Sequence, residues 1–130
     1  MSFSPATKKA LLELAFLASP AAYTWPTTFY AALNTTTGVE VTTAGQDSTY
    51  ARQALTMAWD ATNLRVHNTA AVTYAAAALV GAAFPVVEVA IYDAATAGNL
   101  IATYALQFTK TVGASDVVSF AIDEIQINLV

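Results

Sequence analysis

HNTAAVTYAAAALVGAAFPVVEVAIYDAATAGNL, residues 67–100, decides what class of protein this chain forms. From Asn68 to Val87 it runs twenty residues without a charge, the length of a bilayer-spanning helix. A spanning helix draws its insertion from strongly apolar side chains, whereas this run is largely Ala and Thr with Gly81 and Pro85 inside it. Past Pro85 the period becomes two, with Val87, Val89 and Ile91 alternating against Glu88, Ala90 and Tyr92, which is the pattern of a half-buried strand. The stretch therefore reads as the end of one strand, an alanine-rich loop near residues 75–83, and the start of another strand. So apolar a loop is a liability on a lone monomer. It is expected to be buried against the rest of the domain or against a neighbouring subunit.

The same period recurs on either side. Phe29, Ala31 and Leu33 oppose Tyr30 and Ala32 in one strand; residues 35–49 form a Thr- and Gly-rich loop with a short β excursion at Val39 to Val41. In YARQALTMAW (50–59), Ala51, Gln53, Leu55, Met57 and Trp59 alternate with Tyr50, Arg52, Ala54, Thr56 and Ala58. DATN (60–63) then turns the chain into LRVHNTAAVTY (64–74), where Leu64, Val66, Ala70 and Val72 share a face, so the two segments are expected to pair antiparallel. Downstream, DAATAGN (93–99) is a connection whose Gly98-Asn99 suits positive φ, LIATYALQFTK (100–110) is a strand, TVGASD (111–116) turns, and VVSFAIDEIQINLV supplies the last strand or pair.

At the N-terminus, Lys8-Lys9 followed by a short apolar run imitates a secretory leader, but Glu13 stands where such a run is uncharged. A helix fits better: Ser4 as N-cap, Pro5 in the first helical position, and Leu11, Leu14, Ala15 and Ala18 on one stripe. The expected fold is mainly β: an antiparallel β-sandwich or barrel-like domain of about six to eight strands with one short N-terminal helix. Residues 1–22 form the helix or arm and 23–130 the sandwich, in one compact domain.

Composition narrows the function. The chain is 56% hydrophobic and only 11% charged, against roughly 25% in an ordinary soluble domain, which points to a surface partly covered by other subunits. Net charge is −4, and the five basic residues make no patch that would bind nucleic acid. Without Cys there are no disulfides, thiolate metal sites or Cys nucleophiles. His67 stands on the polar face of a strand with no Ser in a nucleophile elbow, so a surface or interface role is expected of it. Asp93, Thr96 and Asn99 lack the spacing of a calcium loop, and Asp123-Glu124, as strand neighbours, point apart. No cofactor, metal, nucleic acid or membrane partner is expected. Trp25 and Trp59 suit an interface or a core, with the core reading given at least equal weight.

Read together, YARQALT (50–56), VHNTAAVTY (66–74), VAIYDAATAGNLIATYAL (89–106) and KTVGASDVVSFA (110–121) resemble the small bacteriophage virion proteins often labelled phage tail fibre proteins. The similarity runs in order from about Thr27 to Val130. Ala97 departs from it where Gly is usual, Ser115 where Gly is common, and VGAAFP replaces a usual Trp-Gly. The resemblance implies a non-enzymatic structural protein at the virion surface, made in the bacterial host cytoplasm, with other virion proteins as partners and a homo-oligomeric state. Because the chain is short and without repeats, the leading expectation is a capsid decoration (cement) protein contacting the major capsid protein. The alternatives are a tail-fibre or tail-associated module contacting the host surface, with aromatics such as Tyr23, Trp25 or Tyr50 on host glycans, and then a glycan-cleaving enzyme using carboxylates among Asp60, Glu88, Asp93, Asp116, Asp123 and Glu124. Trp25, Tyr50, Arg52, Leu79, Val80 and Phe84 are the expected interface residues. For Arg52, a structural hydrogen-bonding role and simple exposure stay open.

Overall fold

The computed structural model describes residues 2–17 and 26–128. Strand β1 (Ser2–Phe3) leads into the only helix among them, α1 (Pro5–Phe16). Ser4 caps it as its sequence foretells: its Oγ accepts from the Thr7 amide at 3.2 Å, and Pro5 fills a position whose amide needs no partner. The strands that follow are β2 (Phe29–Thr36), β3 (Val39–Glu40), β4 (Gln53–Leu55), β5 (Met57–Asp60), β6 (Arg65–Asn68), β7 (Val72–Thr73), β8 (Phe84–Tyr92), β9 (Leu100–Val112), β10 (Ser119–Phe120) and β11 (Gln126–Ile127). Five of the eleven are two residues long, leaving six of three or more. The expected 22/23 boundary lies outside the described residues, but Ser2–Phe3 pairs with Thr103 and Ala102, so the N-terminal segment is stitched into the main sheet.

That sheet has the order β1-β9-β8-β2-β3, with β4 also pairing β2; two smaller ones are β11-β6-β5 and β10-β7. Every pairing is antiparallel and no barrel closes. The core is common to all three sheets: Ala31, Leu33, Val89 and Ile91 from the main one, Val72 and Phe120 from β7 and β10, and Ile125 beside β11, with Met57 and Ile127 packed against them. The apolar segment that opens the question of a membrane helix is thus strand at both ends with a loop between β7 and β8, and no helix among the described residues is long and apolar enough to cross a membrane.

Several expectations need correcting. Strand β2 buries Ala31, Ala32, Leu33 and Asn34 in succession, and β8 buries Glu88 to Ile91, so both faces of the central pair are covered where one solvated face was expected. Small Ala32 and Ala90, which face each other across the ladder, leave room on the reverse face. On the same face Asn34 Nδ2 donates to Glu88 at 2.6 Å, which makes burial of that carboxylate tolerable. YARQALTMAW is not one strand. The chain changes sheets at Thr56, so that β4 joins β2 while β5 pairs β6 through Trp59–Val66 and Asp60–Arg65. Leu64 and Ala70 leave the expected face; both are exposed, Leu64 in the turn at φ 52°. On α1 it is Thr7 and Ala10 that are buried, whereas Leu14 and Ala15 face solvent; Ala18 lies outside the described residues.

Of the two kinds of burial expected for the alanine-rich loop, that within the chain is only partial. Ala77 and Leu79 point inward, but Ala75, Ala76, Ala78, Val80, Gly81, Ala82 and Ala83 are exposed within the chain. Backbone pairing holds the segment in place of burial. Val80 N donates to Gln46 O, Ala77 N to Asp116 O and Ser115 N to Ala77 O, each at 2.8 or 2.9 Å. Buried Asp47 accepts from Ala78 N at 2.9 Å, from Thr49 N and from Thr49 Oγ1. Burial alone would raise the Asp47 carboxyl, yet these donors hold it below its ordinary range.

Candidate functional site

Arg52 organises the most highly connected polar site among the described residues. Its guanidinium donates Nε to Glu40 Oε1 at 2.9 Å and Nη2 to Glu40 Oε2 at 2.8 Å, while Nη1 reaches the carbonyls of Ala94 at 3.0 Å and Ala97 at 2.6 Å. The same group stacks 3.6 Å from the centre of the Tyr92 ring. Only 8% of the Arg52 side chain is exposed. Tyr50 adds its hydroxyl, donating to Glu40 at 2.8 Å and accepting from Leu33 N at 3.0 Å, with its ring stacked on Tyr74. Burial would raise the Glu40 carboxyl, but the Arg52 and Tyr50 hydrogen bonds and the Arg52 charge outweigh it and leave its pKa lowered. Arg52 itself is raised, by its bonds to Glu40 against the opposing effect of burial. Of the two readings of Arg52 as other than exposed, the hydrogen-bonding one describes this geometry: one planar fork ties β3 to the β8–β9 connection.

That connection is built from within. Asp93 accepts from the Asn99 amide at 2.6 Å and from Asn99 Nδ2 at 2.9 Å, which lowers its pKa and occupies both oxygens. Ala97 and Gly98 both take positive φ, 51° and 75°. A Cβ at Gly98 would meet Asp93 Oδ1 at 2.5 Å and Ala94 Cβ at 2.7 Å, so only Gly fits there.

The remaining expected interface residues divide. Phe84 lies in the core and Leu79 packs against it, Val80 is exposed, and Trp25, like Tyr23, lies outside the described residues. Trp59, for which a core role had at least equal weight, is not in the core but stands 60% exposed on the β5–β6 hairpin. Asp60 stiffens that hairpin. It accepts from Thr62 N, Asn63 N, Asn63 Nδ2 and Arg65 Nε, and these bonds, Asn63's first, depress its pKa to about 2. On the face that Asp60 and Arg65 share, His67 Nδ1 sits against the Asp123 carboxylate without the alignment of a hydrogen bond, and Arg65 Nη2 lies 4.0 Å from the same carboxylate.

The carboxylates weighed for catalysis are each engaged by neighbouring groups, and Asp60 and Asp123 both lie against Arg65, at 3.1 and 4.0 Å. Glu88 binds Asn34 and the Gly38 amide, Asp116 accepts from Gly113 N, and Glu124 accepts from Ala121 N and lies 3.6 Å from Lys110. Among the described residues no three His, Asp or Glu side chains gather where a metal ion could be held.

Sequence reasoning missed Asn68, whose side chain is wholly buried. Its Nδ2 donates to the carbonyls of Ala70 and Ala121, and its Oδ1 accepts from Ile125 N at 2.9 Å, joining β6 to the approach to β11. No local signal marks it, since β6 reads RVHN and Asn68 is one of three polar residues there.

The chain-wide pattern decides the identity that no single cluster does. A family model, podophage GP4 fiber I protein gp80, matches residues 2–128. The chain belongs to that family. A member of this fibre family is a phage structural protein of the virion, associated with other virion components. No curated protein matches the chain.

Proposed function

We propose that this chain is a non-enzymatic fibre component, carried on the tail of the particle and presented to the host surface. The observation that supports this reading is the fibre-family match over nearly the whole chain, residues 2–128. The surface is compatible with contact work, since Trp59, Leu64 and Phe108 stand 60%, 68% and 76% exposed on turns and strand excursions. Phe108 owes its position to register. Strand β9 spends residues 106–109 between Ala105, opposite Glu88, and Lys110, opposite Val86, where β8 has only Val87.

The capsid-decoration reading draws on the low charge and the short, repeat-free chain, which a fibre component accommodates equally well. A glycan-cleaving role finds no support in carboxylates that are each engaged in ion pairs or hydrogen bonds of the fold. Immunogold labelling of purified particles, or localisation in a particle reconstruction, tests the proposal. Copies are expected on the tail or its appendages, and a regular array over the head faces would replace the fibre reading with cementing.

A further inference from the structure

Glu88 is a buried acid that no basic residue answers. It is 6% exposed, and all five basic residues of the chain are placed elsewhere. Lys9 pairs with Glu13, Arg52 with Glu40, Arg65 with Asp60 and Asp123, and Lys110 with Glu124, while Lys8 stands exposed on α1. Glu88 Oε1 accepts one short bond, from Asn34 Nδ2 at 2.6 Å, and one long one, from the Gly38 amide at 3.3 Å. Oε2 accepts none among the described residues. Asp47, the other acid as deeply buried, collects three donors. A carboxylate taken out of water with so little to meet its charge is costly. A second unanswered oxygen stands beside it. Asn34 is 2% exposed, and its Oδ1, on the same planar amide that donates to Glu88, has no hydrogen-bond partner. Reversing the amide would only set its oxygen against that of Glu88.

We propose that Asn34 and Glu88 hold a hard cation of the alkali or alkaline-earth class, bound through Asn34 Oδ1 and Glu88 Oε2, with water completing its shell. The two residues face each other across the β2–β8 ladder, so the two acceptors that lack donors belong to neighbouring side chains. Oxygen donors without thiolate or imidazole suit hard ions rather than zinc or copper. Such a site needs no gathering of acids, because a carboxylate and an amide oxygen leave most of the shell to water. One carboxylate balances one positive charge, which makes a monovalent ion such as sodium the better electrostatic match. Access comes from the β2–β3 turn. Thr36, Thr37 and Gly38 are exposed there, and the Gly38 amide touches the same carboxylate. The ion would thus fasten β2, β8 and that turn at one point. The site does not depend on where in the particle the chain sits, so its failure would leave the fibre reading untouched.

Thermal melts of the full chain in sodium, potassium, calcium and choline chloride at equal ionic strength test this. At least one of the first three ions is expected to raise Tm over choline, by about 3–5 °C at ten times its Kd, and the ion that does so names the occupant. Glu88→Gln keeps the shape of the side chain and an oxygen to accept from Asn34 Nδ2, but removes the charge. It is expected to melt at the same temperature in all four salts. Nuclear magnetic resonance of the wild type gives a reading that needs no variant: the Asn34 side-chain amide and the Gly38 amide should shift with the stabilising ion and saturate. Equal melting of the wild type in all four salts overturns the proposal, and is the result expected if a water alone meets the two oxygens. So does a Glu88→Gln variant that keeps the ion-dependent rise, or resonance shifts that leave Asn34 and Gly38 unmoved.

Discussion

Arg52 holds Glu40 by both carboxylate oxygens while its remaining nitrogen reaches the carbonyls of Ala94 and Ala97. One side chain thereby fixes β3, residues 50–52 and the β8–β9 connection relative to one another. Arg52→Ala leaves a half-buried carboxylate and two carbonyls without their donor, and should lower unfolding free energy by about 2–3 kcal/mol. Arg52→Lys keeps the charge but loses the fork, and should recover less than half of that. Denaturant melts of the wild type, Arg52→Ala, Glu40→Ala and the double variant measure the coupling. Additive single effects would mean that the pair contributes nothing beyond its surroundings.

Asn68→Ala should be among the most damaging single changes, because it strips partners from Ala70 O, Ala121 O and Ile125 N at once. A loss of about 2–4 kcal/mol is expected. Hydrogen exchange gives the local reading: the Ile125 amide should lose protection in the variant more than amides in β2 and β8 do. Uniform loss across the sheets would argue against a local tie.

Two non-glycine residues in connections sit at strained backbone. Ala97 has φ 51° and Ser115 φ 63°, in the left-handed region that favours Gly. A Cβ in the left-handed region costs about 1–2 kcal/mol. Ala97→Gly and Ser115→Gly should therefore each raise stability, by about 0.5–1 kcal/mol once the greater freedom of Gly in the unfolded chain is set against the relief. Thermal melts of the two single variants and their combination test it, and a fall in Tm for both would refute the strain.

Acid and alkali should destabilise the fold through different groups. Glu40, Asp47, Asp60 and Asp93 all have lowered carboxyl pKa values, so below the ordinary values of 4.5 for Glu and 3.8 for Asp the unfolded chain takes up protons that the folded chain refuses. Their contribution is full above those values and is lost as pH falls, with Asp60 holding on to about 2. Burial raises Tyr50 and Tyr74 above 10.0, so their contribution is complete below that pH and fades as pH rises past it. Melting temperature against pH should be a plateau falling away on both flanks. Glu40→Gln should shallow the acid flank, and an unchanged flank would remove Glu40 from the account.

Period-two alternation located the strands because it reflects which side chains leave water, and VVEVAIY and LIATYALQFTK both lie within strands β8 and β9. It failed in β2, where Ala31 to Asn34 are all buried. A run of alanines carries no sign of whether its second face is covered. Nor did it foresee that YARQALTMAW changes sheets at Thr56, where the local β5–β6 hairpin gives way to the pairing of β4 with the more distant β2. Arg52 stood out as a lone fork among apolar neighbours, but Glu40 and the Ala97 carbonyl that complete its site come from twelve residues upstream and forty-five downstream. Trp59 could not be assigned, since its exposure depends on how far the hairpin extends beyond the core.

The sheet order sets a timetable for synthesis. Strand β1 has its partner in β9, through Ser2–Thr103 and Phe3–Ala102, and β2 gains its longest ladder from β8, through Tyr30–Tyr92 to Asn34–Glu88. A chain leaving the ribosome therefore carries its exposed apolar helix for some hundred residues before the strand that anchors it exists. Through that interval its exposed apolar side chains stand open to non-native contacts, before the sheet that anchors them is complete.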